Sequence, residues 1–233
     1  MNGKVDTHRF TLNMSRAADR MKRVVIPLLR FFVLACCIST VCRSADWALS
    51  DAQLVRVETG AIIAEGDVAT DRAAADIRAA VKIGASPEQV FRTLTDCAQA
   101  LRFVPHLKRC KVVDNAPDGG WQNVEQMVDY GWLAPRATYV FHADYEKFSR
   151  IRFSNVRGDF HENRGVWTFR PLEDGRSTLV TYEARVAPAF YVPRWMMRNM
   201  LKRDLPDLMR GLRTHAEGTR PATATNTPTP PDP

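Results

Sequence analysis

Cys97, His106 and Cys110 bring three side chains capable of metal or redox chemistry into fourteen residues, within LTDCAQALRFVPHLKRCKVV from Leu94 to Val113. A structural zinc site needs four ligands and usually draws two from a tight C-x-x-C pair. A dithiol redox centre rests on the same pair. The stretch has three ligands and no such pair, so neither a metal nor a redox cofactor is expected there. Whether the two thiols are free or joined is left open by the motif itself.

Acid–base chemistry has other candidates. Asp129, His142, Glu162 and Tyr182 fall on extended, alternating segments, and any that faces an interior can act as general acid or base when burial tunes it. His142 and Glu162 are the two catalytic candidates this yields. Alternation puts polar side chains outward by default, so Asp129, His142 and Glu162 are expected on a solvated face. HENRG, beginning at His161, lacks the second histidine four residues on that a helical zinc protease carries. No nucleophile elbow, phosphate loop or dinucleotide fingerprint occurs either.

The elements that position these residues lie between two unlike ends. Arg16, Arg20, Lys22 and Arg23 precede an apolar run from Val24 to Val41, and small residues follow at Ser44 and Ala45. This is the pattern of a secretory signal over 1–44 with a basic extension, cleaved after Ser44. The alternatives are an uncleaved N-terminal membrane anchor and, less well matched, a lipoprotein site ending at Cys36. The segment holds eight basic side chains against Asp6 and Asp19, so six of the chain's seven net positive charges lie in it. A nearly neutral remainder gives no electrostatic footprint for nucleic acid. Cys36, Cys37 and Cys42 also lie in this segment, which leaves Cys97 and Cys110 beyond it. Export places the protein in the periplasm or outside the cell. Residues 216–233, rich in Thr and Pro, read as a disordered tail.

Residues 45–74 read as a lead-in strand region and 75–215 as one domain. Asp76 to Ile83 alternates as a half-buried strand, with Ile77, Ala79, Val81 and Ile83 on one face. ASPEQVFRTL then predicts a helix with Ser86 as N-cap, Pro87 at its first position and Gln89 closing a capping box. A second short helical turn through Leu101 and Phe103 ends at Pro105. Extended segments follow at 108–114, 121–130, 136–147, 150–157, 165–171 and 177–186, with turn chemistry in NAPDGG and LEDGR. From about Val192 to Arg213 apolar residues recur at helical spacing, and Pro206 is expected to kink that helix. Sheet face and helix stripe each need the other, which gives an α+β class: a curved antiparallel sheet gripping a long C-terminal helix. Inward positions are expected at Val124, Val128, Tyr139, Phe141, Ile151, Phe153, Trp167, Phe169, Val180, Tyr182, Trp195 and Met196. Collectively they are heavy in aromatics, which suits either a filled core or the wall of a cavity for a flat or isoprenoid ligand.

IRAAVKIGASPEQVFRTLTD, FVPHLKRCKVV, GVWTFRPLEDGRSTLVTYEARV and LKRDLPDLMRGLR resemble the START-like (SRPBCC) helix-grip superfamily, in its polyketide cyclase/dehydrase and coenzyme Q-binding branch. The resemblance implies a cavity between sheet and long helix that takes a lipid, quinone, isoprenoid or polyketide-like molecule. Ligand-binding residues would be Val124, Val128, Tyr139, Phe141, Phe153, Trp167, Phe169, Tyr182, Trp195 and Met196. Two functions follow as expectations: an exported carrier without chemistry, or a cyclase/dehydratase working in the same cavity. The basic last helix, with Arg194, Arg198 and Lys202 beside Trp195, offers a transient membrane contact. The resemblance also places Cys97 at a helix end and Cys110 on the next strand. In an oxidising compartment it thereby implies a 97–110 disulfide, with His106 on the turn between them in solvent.

Overall fold

The structure is a computed structural model that describes residues 47–69 and 74–218. The expected signal segment and all of the expected tail beyond 218 lie outside the described residues. Helix α1 spans Asp51–Glu58 and strand β1 Ile63–Val68. Strand β2 (Ala75–Ile83) leads into helices α2 (Pro87–Thr95) and α3 (Cys97–Phe103). Strands β3 (Leu107–Asn115), β4 (Trp121–Val128), β5 (Ala137–Glu146), β6 (Arg150–Gly158), β7 (Phe160–Leu172) and β8 (Ser177–Pro188) follow, and helix α4 (Arg194–Gly218) closes the fold.

All eight strands form one antiparallel sheet in the order β1-β2-β8-β7-β6-β5-β4-β3. The pairing of β2 with the last strand, β8, joins the N-terminal hairpin to the meander and leaves β1 and β3 at the two edges. The sheet is curved and open, and its concave face grips α4: this is the helix-grip fold.

Local chemistry explains the elements. The Ser86 hydroxyl accepts from Gln89 N at 3.3 Å, and Pro87 opens α2 as expected. The Gln89 side chain does not complete the box. It donates instead to Ala216 O of α4 at 2.7 Å, tying the start of one helix to the end of another. Helix α1 was not expected, although its signal is in the sequence: Ser50 and Gln53 form a complete capping box.

Strand alternation builds the core. Ala79, Val81 and Ile83 of β2, Val180 of β8, and Trp167 and Phe169 of β7 face Leu205, Met209 and Leu212 of α4. Met209 and Leu212 are completely buried, and each such side chain contributes about 2 kcal/mol. Gly211 lets α3 approach, since a Cβ there would meet Phe103 Cβ at 2.8 Å and Phe103 O at 3.0 Å.

Helix α4 runs on through Pro206, whose missing N–H leaves the Lys202 carbonyl without its helical donor. It also runs past the domain boundary expected at 215/216. Ala216 is fully buried and the Glu217 carboxylate accepts from Gly84 N at 2.7 Å, because the α2 entry needs that partner. No helix among the described residues is long and apolar enough to cross a membrane.

Candidate functional site

Between the concave face and α4 lie two adjoining cavities of about 190 Å³ and 250 Å³. Val104, Tyr139, Asn163, Tyr182 and Leu208 line both, so the two adjoin across these side chains as halves of one site. The first half reaches α2 and α3, and Cys97 and Cys110 form part of its wall. The second half opens toward the start of α4, past Val128, Tyr130, Phe160, Phe190 and Met197.

An unbroken run of aromatic rings crosses both halves. Phe160 meets Tyr139 edge-on at 4.8 Å, Tyr139 lies 6.2 Å from Phe141, and Phe141 lies 6.1 Å from Phe153. Phe153 stacks on Tyr182 at 6.2 Å, and Tyr182 on Trp167 at 4.1 Å. The strand period of two makes this wall, since each ring sits on an inward position of its strand. Few polar groups interrupt it. The Tyr139 hydroxyl donates to Gln126 Oε1 at 2.8 Å, and Tyr145 to Gln122 Oε1 at 3.0 Å. Burial pushes the Tyr139 and Tyr182 phenols well above their ordinary range, and Tyr145 up to about 12, so all three stay neutral.

Of the residues expected to line the cavity, Val124, Val128, Tyr139, Phe141, Phe153, Trp167 and Tyr182 do so, as does Ile151. Three do not. Phe169 is buried in the core, edge-on to Phe91 at 6.0 Å. Met196 packs with Val68, Ala75 and Val192. Trp195 points to solvent with 66% of its surface exposed, because one residue along a helix turns the side chain by about 100°.

The acid–base candidates divide as alternation predicts. His142 stands on the opposite face of the sheet, its ring nitrogens 2.9 Å from Asn123 Oδ1 and 3.2 Å from Asp144 Oδ1. Glu162 accepts from Arg185 Nε at 2.7 Å, and the same guanidinium bonds Asp76 at 2.7 Å. These two carboxylates hold the Arg185 pKa above its ordinary value. Asp129 caps the turn after β4, accepting from Gly131 N and Arg136 Nε, and both bonds hold its pKa below the usual carboxylate range. Only Tyr182 of the four faces the cavity.

Cys97 and Cys110 are joined by a disulfide, with Cα atoms 5.2 Å apart. His106 is exposed on the turn as expected, and it also reaches α4. Its Nε2 lies 3.6 Å from Asp204 Oδ1 of α4, and its ring packs on Tyr130 at 4.2 Å. Tyr130 and Asp204 both line the second cavity. This trio escaped the sequence reading because its members come from a turn, a strand end and a helix, with no spacing to link them.

A sheet gripping a helix around an aromatic-walled cavity defines a class of hydrophobic-ligand binding folds. The family described as polyketide cyclase / dehydrase and lipid transport matches residues 83–213, more than half of the chain, and the protein belongs to it. The fold is similar to that of a STAR-related lipid transfer protein from Xanthomonas axonopodis (20% identity, TM-score 0.57, 66% of this chain and 93% of that one). It is also similar to the Zhui aromatase/cyclase from Streptomyces sp. R1128 (15%, 0.54, 64% and 97%) and to a START superfamily protein from Mycobacterium smegmatis (19%, 0.53, 61% and 97%). No curated protein matches the chain in sequence.

Proposed function

We propose that the protein is an exported carrier that holds one hydrophobic small molecule or lipid between its sheet and its last helix. The observation that carries this reading is the pair of cavities sharing one aromatic wall. A flat ring system or isoprenoid chain buries its apolar surface there, and that burial drives binding. The placement of His142 and Glu162 across the sheet, each already paired, favours carriage over acid–base turnover by those residues. Export is supported by the basic and apolar pattern of the first 44 residues and by a disulfide of the kind that persists in oxidising compartments.

Transfer would take place at a membrane surface. Trp132, Tyr191 and Trp195 are 93%, 84% and 66% exposed. They sit beside residues that line the second cavity: Tyr130 and Ala134, Phe190 and Val192, and Met197. Arg194, Arg198 and Lys202 are exposed on the same stretch of α4. Interfacial aromatics flanked by cations suit an anionic bilayer.

Native mass spectrometry of the protein purified from the cells that make it tests the carrier reading. A bound apolar molecule of constant mass supports it. Protein that carries none, and takes up none from a panel of quinones, isoprenoids and lipids, contradicts it.

A further inference from the structure

We propose that Asp204 and Tyr130 form a polar recognition site for a hydroxyl group at the end of an otherwise apolar ligand in the second cavity. The inference rests on the carrier reading and adds a chemical class to it.

The lining of the second cavity is apolar almost throughout, and among it Asp204 is the charged residue. One of its oxygens, Oδ1, faces His106 at 3.6 Å. The other, Oδ2, is sealed from solvent and makes no well-formed hydrogen bond. A buried carboxylate oxygen without a donor is costly, and it marks a place where a donor from outside completes the structure. The Tyr130 hydroxyl interacts with the same carboxylate, and burial, that charge and the hydrogen bond between them keep the phenol protonated. The site therefore offers a strong acceptor and a neutral hydroxyl side by side.

His106 supports the arrangement from behind. Its backbone lies in the left-handed region at φ 59°, which a non-glycine residue adopts only when its surroundings hold it there. Those surroundings are present. The His106 carbonyl accepts from Asp129 N at 3.0 Å, and the Cys97–Cys110 bridge ties down both ends of the segment.

A ligand hydroxyl donates to Asp204 Oδ2 and accepts from Tyr130 in one placement. A ligand carboxylate is repelled by Asp204. An ammonium satisfies the carboxylate but has no lone pair with which to accept from Tyr130, and a plain hydrocarbon satisfies neither.

The test is displacement of an apolar fluorescent probe from the full chain at pH 7 by dodecanol, dodecanoate, dodecylamine and dodecane. The expected order puts dodecanol first, effective at roughly tenfold lower concentration than any of the others, as a hydrogen bond to a charged group implies. In Asp204→Leu and in Tyr130→Phe the preference for dodecanol over dodecane falls below about threefold, each order being read against that variant's own probe affinity. Equal displacement by all four, or a preference for the amine or the acid, overturns this inference while leaving the carrier reading intact. Retention of the dodecanol preference in Asp204→Leu also overturns it, and if that variant does not fold, Tyr130→Phe and the wild-type order decide. Failure of the probe and of every chain to bind removes the carrier reading and this inference together.

Discussion

Tyr182 stacks on Trp167 with ring centroids 4.1 Å apart, and Tyr182 alone of the two lines both halves of the cavity. The pair joins β8 to β7 across the register Trp167↔Tyr182 and forms the floor on which a ligand would lie. Stability and binding therefore meet in one side chain.

Tyr182→Ala removes that ring and merges the two halves into a larger void. The expected cost is about 3 kcal/mol of folding stability, as for other buried aromatic truncations, read from urea unfolding. Affinity for an apolar probe falls at the same time, because the wall loses its stacking surface.

The Cys97–Cys110 bridge closes a loop of about fourteen residues, worth roughly 3 kcal/mol by loop-closure entropy. It spans α3 and the turn at His106, both on the cavity wall. Replacing both cysteines with alanine should lower the urea midpoint by the corresponding amount. Adding reductant to the native protein should do the same, and the double variant should no longer respond to reductant.

Asp129 gives a signed pH dependence. The Gly131 N–H and the Arg136 guanidinium hold its folded pKa below the unfolded value. Its contribution is therefore fully present above the ordinary carboxylate pKa and is lost as pH falls through the folded value. Asp129→Asn should flatten the acid limb of the stability curve and leave the neutral region nearly level, measured by thermal unfolding from pH 3 to 7.

The sheet was legible in the sequence because a period of two fixes which side faces inward, and seven of the ten expected ligand-binding residues line the cavity for that reason. The helix was legible in its stripe but not in its phase: adjacent apolar residues at Trp195 and Met196 left the inward direction ambiguous, and neither lines the cavity. Helix α1 had a readable signal in Ser50 and Gln53 that a reading centred on apolar periodicity passes over. The end of α4 was hidden for a different reason. Glu217 and Ala216 look like tail residues until Gly84 and Gln89 are seen to bond them. His106, Tyr130 and Asp204 were out of reach, since only the fold brings them together.

An apolar ligand held between the sheet and α4 would lie against Trp167, so fluorescence quenching by a brominated long-chain alcohol reports its presence. Trp167 is buried on the cavity wall, whereas Trp132 and Trp195 are exposed. Saturable quenching is predicted in the wild type and should be largely lost in Trp167→Phe. Quenching that persists unchanged in Trp167→Phe would place the ligand on the outer surface and not between the sheet and α4.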